Sequence, residues 1–326
     1  MNKNKSNFWK NRNVCVTGAN GFLGSWLTRQ LVQEGAKVVC LIRDCEPRSF
    51  LRATGTDSKI TIVYGELENY PLIERLFNEY EIETCFHLAA QAIVTTANRF
   101  PISTFESNIR GTWNILEAAR QNPQLKRLVV ASSDKAYGAK EKMPYTEEAT
   151  LEGTNPYDFS KTCTDLMAQM YFKSYGTPVA IARCGNLYGP GDINFDRIVP
   201  GTIRSLIQRT SPIIRSDGTY LRDYFYVQDG VNAFFRLAEE MDRIKGQAFN
   251  FGTELPTSVI DVVNQIIKVS GIKNISPKIL SIAKGEIKVQ YLSCSKARKI
   301  LDWQPKFLLK DTLKNTYQWY QKYLRL

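Results

Sequence analysis

A chain of 326 residues with 43% hydrophobic and 23% charged residues is long enough for two lobes and buries a substantial core without covalent staples. No apolar run approaches membrane-spanning length, and the basic N-terminus runs into Phe8 and Trp9 rather than an apolar leader, so the composition reads as a cytoplasmic globular protein with no membrane partner. The net charge of +11 is spread over the chain and is denser at its ends (Lys3, Lys5, Lys10, Arg12; Lys306, Lys310, Lys314, Lys322, Arg325) without any nucleic-acid motif, which argues against a nucleic-acid partner and reads as a solvated basic surface, some of whose charge steers an anionic small molecule.

Val14 to Thr17 reads as a buried strand, Phe22 to Glu34 as a helix with Phe22, Leu23, Trp26, Leu27 and Leu31 on one face, and Lys37 to Ile42 as a second strand. Between the first strand and the helix stand Gly18, Gly21 and Gly24. In this context Gly18 permits a sharp turn, Gly21 lets backbone N–H groups approach a pyrophosphate, and Gly24 lets the helix pack closely. The helix N-terminus then holds the anion. Asp44 follows the second strand about twenty residues after Gly24, where a carboxylate bonds the adenosine ribose of NAD. Arg43 beside it suits the 2′-phosphate of NADP. The pattern favours NAD and leaves NADP open, against a bland alternative of a solvated pair at a strand end.

Strands are expected at Lys59 to Val63, Thr84 to Leu88, Arg127 to Ala131 and Val179 to Arg183. Helices are expected at Pro71 to Tyr80, Thr104 to Gln121 and Tyr157 to Tyr175. That alternation predicts a Rossmann-type α/β fold with a doubly wound parallel sheet. After Asn186 the pattern turns irregular, with helices at Ile198 to Gln208, Val231 to Glu240 and Thr257 to Val269. We therefore expect a dinucleotide-binding domain over residues 1–186 and a smaller substrate-binding lobe over 187–326, some of whose segments return to the main domain. The single histidine, His87, ends a strand and reads as a structural group, and a zinc-type metal site is not expected. The seven cysteines (Cys15, Cys40, Cys45, Cys85, Cys163, Cys184, Cys294) contain no C-x-x-C pair and read as free, mostly buried thiols. The aromatic run Tyr224 to Tyr226 reads as core packing.

Of the sixteen tyrosines only Tyr157 has a lysine four positions later, Lys161, and that spacing places both on one helix face. A tyrosine that takes a proton from a sugar hydroxyl near neutral pH needs its pKa lowered by roughly 3 units, or about 4 kcal/mol of electrostatic help. The Lys161 ammonium and a positive nicotinamide ring supply it. Ser133, just past the strand ending at Ala131, is placed to bond the same hydroxyl.

With Thr17 to Gly24, His87 to Ala90, Asn108, Ser133, Tyr157 to Lys161, Asn186 to Asp192 and Arg222 to Tyr224, the chain resembles the extended short-chain dehydrogenase/reductase family over nearly its whole length. Members act mainly on nucleotide sugars. The resemblance implies catalytic roles for Ser133, Tyr157 and Lys161. It implies cofactor contacts from Gly18, Asn20, Gly21, Phe22, Leu23, Gly24, Arg43, Asp44, Leu88, Ala89 and Ala90, with Glu66 and Leu67 near adenine, where the family usually has an aspartate. Gln91, Asn186, Arg197, Val199 and Arg222 are implied to meet the substrate, Arg222 as a clamp on its pyrophosphate. A homodimer through the helices Thr104 to Gln121 and Tyr157 to Tyr175 is also implied.

Asp134 and Lys135 follow the serine directly. This pair resembles the pattern of nucleotide-sugar 4,6-dehydratases, CDP-glucose 4,6-dehydratases in particular, and is also compatible with GDP- or UDP-linked N-acetylhexosamines. The resemblance implies that Asp134 protonates a departing 6-hydroxyl while Lys135 removes the C5 proton. A salt bridge in a surface loop is the structural alternative for the pair. Two other functions remain open: a nucleotide-sugar 4-epimerase, and a non-catalytic NAD-binding scaffold on the same fold.

Overall fold

A computed structural model of the chain describes residues 7–283 and 286–325, so Lys3 and Lys5 lie outside the described residues. Six strands between residues 13 and 184 are β1 (Asn13–Thr17), β2 (Lys37–Ile42), β3 (Thr61–Tyr64), β4 (Thr84–His87), β5 (Arg127–Ala131) and β6 (Val179–Cys184). With a seventh strand, Ala248–Phe251, they form one parallel sheet in the order Ala248–Phe251, β6, β5, β4, β1, β2, β3. This is the Rossmann-type doubly wound arrangement. The chain order reverses between β1 and β4, and ligands bind in such sheets beyond the carboxyl ends at that reversal.

Strand residues alternate between two apolar layers, because a parallel sheet covered on both faces buries both sides of each strand. Val14, Val16, Val38, Cys40 and Phe86 face Leu27 and Leu31 of the helix Phe22–Gln33 and Phe234 and Phe235 of the helix Val227–Glu239. Cys15, Val39, Cys85, Leu128 and Val130 face Ile73, Leu76 and Phe77 of Tyr70–Glu79, Ile115 and Leu116 of Gly111–Gln121, and Ala168 of Pro156–Tyr175. Truncating any of these buried leucines to alanine would cost roughly 3 kcal/mol. A third cluster lies in the second half of the chain. It packs Val199, Ile203 and Leu206 of Ile198–Ile207 against Val262 and Ile266 of Val259–Ser270 and Leu313, Tyr317 and Tyr320 of Leu309–Tyr323.

Several element boundaries differ from the sequence expectation for local reasons. The strand expected from Lys59 begins at Thr61, because Asp57–Lys59 close a 3₁₀ turn. The helix expected over 104–121 is a relay: Val94–Arg99, then Pro101–Phe105 started by its proline, a π-helical turn at Glu106–Arg110, and Gly111–Gln121. Thr257 and Ser258 belong to a short strand, and Ser258 caps the helix that follows by accepting from Asp261 N. Asp134 and Lys135 open a 3₁₀ turn, Asp134–Tyr137, not a surface loop. Tyr224, Phe225 and Tyr226 are buried, and so are all the cysteines except the exposed Cys45 and the half-buried Cys163.

Candidate active site

The carboxyl ends of β1, β2, β4, β5 and β6 open into one cleft of about 1060 Å³. That is at the upper end of single-ligand pockets and suits two ligands side by side. At its first end the backbone does the shaping. Gly18 turns the chain out of β1 at φ +76°, and a Cβ there would fall 2.7 Å from Ala89 N. A Cβ on Gly24 would fall 2.1 Å from Gly18 O, so the helix can lie against the loop only without a side chain. Gly21, whose N–H donates to Gly18 O at 3.0 Å, is the helix N-cap, and no side chain caps the turn. The free N–H groups of that first turn are what an anion requires. Phe22 and Leu23 line this end, as do Leu88, Ala89 and Ala90 across from them.

His87 lies behind this edge and does not enter the cleft lining. Its Nδ1 meets Thr17 Oγ1 at 2.9 Å and its Nε2 meets Thr112 Oγ1 at 3.1 Å, and burial lowers its pKa to about 3. Thr17 Oγ1 also accepts from Leu88 N and Ala89 N, both at 3.2 Å. A neutral imidazole thus fixes the threonine that seats the two backbones against each other.

At the outer rim, Arg43 Nε donates to Asp44 Oδ2 at 2.6 Å, and Asn20 Nδ2 donates to Asp44 O at 2.9 Å. Both members of the pair are more than half exposed. Leu67 lines the cleft, but Glu66 does not: the turn after β3 points it to solvent, and Glu68 takes the inward place, accepting from Ser107 Oγ at 2.9 Å. Glu66 stands exposed beside Leu67 at the rim of this end.

At the opposite end side chains dominate. Ser133 Oγ donates to Asp134 Oδ1 at 3.0 Å and accepts from Lys135 N at 3.2 Å. Lys135 Nζ lies 3.3 Å from Asp134 Oδ2 and also donates to Gln290 Oε1, while Gln290 Nε2 donates to Asp134 O at 2.9 Å. Tyr157 enters from the first turn of the helix Pro156–Tyr175. Desolvation pushes its phenol up to about 12, against the opposing pull of the Ser133 hydrogen bond and the Arg197 guanidinium. Burial lowers the Lys161 ammonium to about 8, partly offset by Cys184 and Asp165, and its Nζ donates to Ala131 O at 2.8 Å.

The π-helical turn delivers Asn108 to the base of this end. Its Oδ1 accepts from Gln91 N at 2.7 Å, and its Nδ2 donates to Gln91 O at 3.2 Å and to Ser160 Oγ at 2.9 Å. Ser160 Oγ in turn donates to Tyr157 O at 2.7 Å. One buried amide therefore ties the Gln91 loop to the turn carrying the tyrosine.

The far wall belongs to the second half of the chain. Asn186, Arg197, Val199 and Arg222 all line it. Arg197 Nη1 donates to the buried Asp192 at 3.1 Å. Arg222 lies over the Tyr220 ring at 5.7 Å and donates to Leu221 O at 2.9 Å. Two further side chains reach the chemical end without any signal in the sequence pattern. Asp158, next to Tyr157, is buried, and burial raises its carboxyl to about 6, with Lys135 pulling down and Asp134 pushing up. Gln290 is fully buried and comes from a strand of two residues, Val289–Gln290.

The family model described as the NAD dependent epimerase/dehydratase family matches residues 14–252. The chain is 28% identical to a CDP-glucose 4,6-dehydratase of Salmonella typhimurium, over 98% of this chain and 93% of that relative. Among solved structures it is similar to a UDP-glucose 4-epimerase of Thermotoga maritima with UDP-glucose, at TM-score 0.88 and 28% identity, covering 96% of this chain and 99% of that one. A dTDP-glucose 4,6-dehydratase of Bacillus anthracis in complex with NAD matches at TM-score 0.85 and 27% identity, covering 95% and 97%.

Proposed function

Since the chain belongs to the NAD dependent epimerase/dehydratase family, we propose that it is a nucleotide-sugar 4,6-dehydratase, converting a CDP-, GDP- or UDP-linked hexose or N-acetylhexosamine to the 4-keto-6-deoxy sugar. The observation that carries this reading is the Asp134–Lys135 pair, held 3.3 Å apart directly after Ser133 and facing the cleft. Oxidation at C4 alone has no use for it; elimination of water needs both an acid and a base.

The cofactor is NAD. The residues fit a dinucleotide: the uncapped helix N-terminus faces the cleft, the Gly18 and Gly24 positions leave no room for a Cβ, and Asp44 stands at the ribose end. The chemistry supplied by bound NAD is the loan of one hydride, taken from C4 and returned at C6. Tyr157 receives the 4-hydroxyl proton, with Ser133 hydrogen-bonded alongside. The Ser133 hydrogen bond and the Arg197 guanidinium pull the phenol down from its buried value, and Lys161, four residues along the same helix, is the cation assigned to hold the phenolate once cofactor and substrate are bound. The new ketone acidifies the C5 proton. Moving one proton across the Lys135–Asp134 contact gives a neutral amine and a carboxylic acid; the amine takes the C5 proton, and the acid protonates the departing 6-hydroxyl. The ammonium–carboxylate pair is restored when water leaves; as hydride returns to C6 the Lys135 ammonium gives a proton back to C5, and the proton held by Tyr157 re-forms that ammonium through exchange with solvent.

Arg222 and Arg197 meet the pyrophosphate and sugar side of the substrate, with Asn186, Val199 and Gln91 around the sugar. The assembled Ser133, Tyr157 and Lys161 speak against a non-catalytic scaffold. We also place the chain in a homodimer: Trp113, Phe159, Leu166 and Met170 are each 41–50% exposed on the neighbouring helices Gly111–Gln121 and Pro156–Tyr175, an apolar face a second copy would cover. The free thiols suit a reducing compartment such as the cytoplasm. Among the described residues no helix is long and apolar enough to cross a membrane.

The test is product analysis after incubation with CDP-, GDP- and UDP-hexoses and their N-acetyl analogues. Loss of water is expected, with solvent deuterium at C5 in heavy water and a C4 deuterium of the substrate recovered at C6. An unchanged mass with a new retention time would overturn the dehydratase and establish the 4-epimerase, the activity of relatives at similar identity.

A further inference from the structure

Lys135 is the most mobile type of side chain in the acid–base pair, and a four-carbon stem reaching into a cleft has many rotamers to lose. In this structure a residue 155 positions away removes that freedom. Gln290 accepts from Lys135 Nζ through Oε1 and donates through Nε2 to Asp134 O at 2.9 Å, so one amide grips both the side chain of the lysine and the backbone of its partner. The amide is held rigidly in turn. The segment around it runs beside Tyr145, whose N–H donates to Tyr291 O at 3.0 Å and whose carbonyl accepts from Ser293 N at 2.8 Å. In the three-stranded sheet of the second lobe Gln290 is the register partner of Arg222. It is fully buried, so water does not compete for either bond.

We propose that Gln290 is a positioning residue for the elimination step. It aims Lys135 at the C5–C6 bond and ties that aim to the strand carrying Arg222, so that the acid–base pair and the substrate-binding wall move as one. This rests on the dehydratase function proposed above. Oxidation at C4, performed by Tyr157, Lys161 and Ser133, makes no contact with Gln290 and does not depend on it.

The experiment follows both half-reactions in the full-length enzyme loaded with NAD, using the nucleotide hexose of the panel that the wild type turns over fastest, CDP-glucose first. Bound NADH is read at 340 nm and water loss by product mass. Gln290→Leu is expected to form NADH within a few-fold of the wild-type rate and to accumulate it, while water loss falls at least 100-fold. Gln290→Glu keeps an acceptor for Lys135 but loses the donor to Asp134 O and holds the lysine as ammonium, so it is expected to form NADH within a few-fold of wild type and to lose water at least tenfold more slowly; wild-type water loss in this variant would overturn the positioning role. Wild-type water loss in Gln290→Leu would overturn the positioning role and leave the dehydratase standing. So would NADH formation falling by the same factor as water loss, since that marks general damage to the fold or to substrate binding. A wild type that returns a product of unchanged mass removes the dehydratase itself, before any variant is considered.

Discussion

The two ends of the cleft are made of different material. The dinucleotide end is shaped by main chain: a loop that tolerates no Cβ at Gly18 or Gly24, an uncapped helix turn, and a buried neutral histidine that locks a threonine beneath them. The chemical end is shaped by side chains arriving from four separate segments: Ser133 to Lys135, Asn108, Tyr157 to Lys161, and Gln290. Main-chain geometry binds whatever presents a pyrophosphate and is indifferent to the reaction that follows. Side-chain geometry decides which bond breaks. This difference explains how one cleft architecture serves both the epimerases and the dehydratases among the relatives.

The sharpest way to separate the ends is Tyr157→Phe. It should lower turnover by about 10³-fold or more while NAD and substrate affinities, measured by titration, stay within about threefold. Near-normal turnover would mean that the chemical end does not work through this phenol. Gly24→Ala attacks the other end: its Cβ would overlap Gly18 O at 2.1 Å, so we expect about 3 kcal/mol of lost stability in urea melts and at least tenfold weaker NAD binding. Unaltered NAD affinity would show that the loop is not a tight cradle.

Asp158 gives a pH test. Its carboxyl sits at about 6 in the folded protein against an ordinary value of 3.8, so between those values the native state holds more protons than the unfolded state. Stability from this group is therefore lost as pH rises from about 4 to about 6 and stays lost above that. Asp158→Asn should be more stable than wild type at pH 7, by on the order of 2 kcal/mol, with little difference at pH 4; an equal difference at both would show that the burial cost is absent. The smallest effect is expected at the exposed rim. Asp44→Ala should weaken NAD by roughly fivefold and NADP less, because the lost carboxylate also repels a 2′-phosphate.

The dinucleotide end was legible because its residues are contiguous: three glycines between a strand and a helix carry their meaning in their spacing. The Tyr157–Lys161 pair was legible for the same reason, since a helix converts a spacing of four into proximity. What did not show is what depends on distant parts of the chain or on a conformation with no periodic mark. The π-helical turn at Asn108 keeps nearly the same apolar rhythm as an ordinary helix, so residues 104–121 looked continuous. Gln290 and Asp158 are polar side chains buried by segments far from them, and nothing in their neighbours' pattern announces that. Glu68, which lines the cleft and accepts from Ser107 Oγ, carried no mark either, because a loop after a strand has no period that tells which polar residue faces inward.

The seventh strand, Ala248–Phe251, has a bearing on how this protein can be made and divided. It covers the outer edge of β6 in parallel register, Ala248 against Ile181 through Phe251 against Cys184, and it buries Phe249 and Phe251 in the main core. A polypeptide stopped at Asn186 would leave β6 as an open apolar edge, a template for intermolecular pairing. Such a fragment should go to inclusion bodies, and the nascent chain on the ribosome faces the same hazard until residue 251 has emerged. The main sheet is thus shared between the two parts of the sequence: β6 is covered only by a strand that residues 248–251 supply.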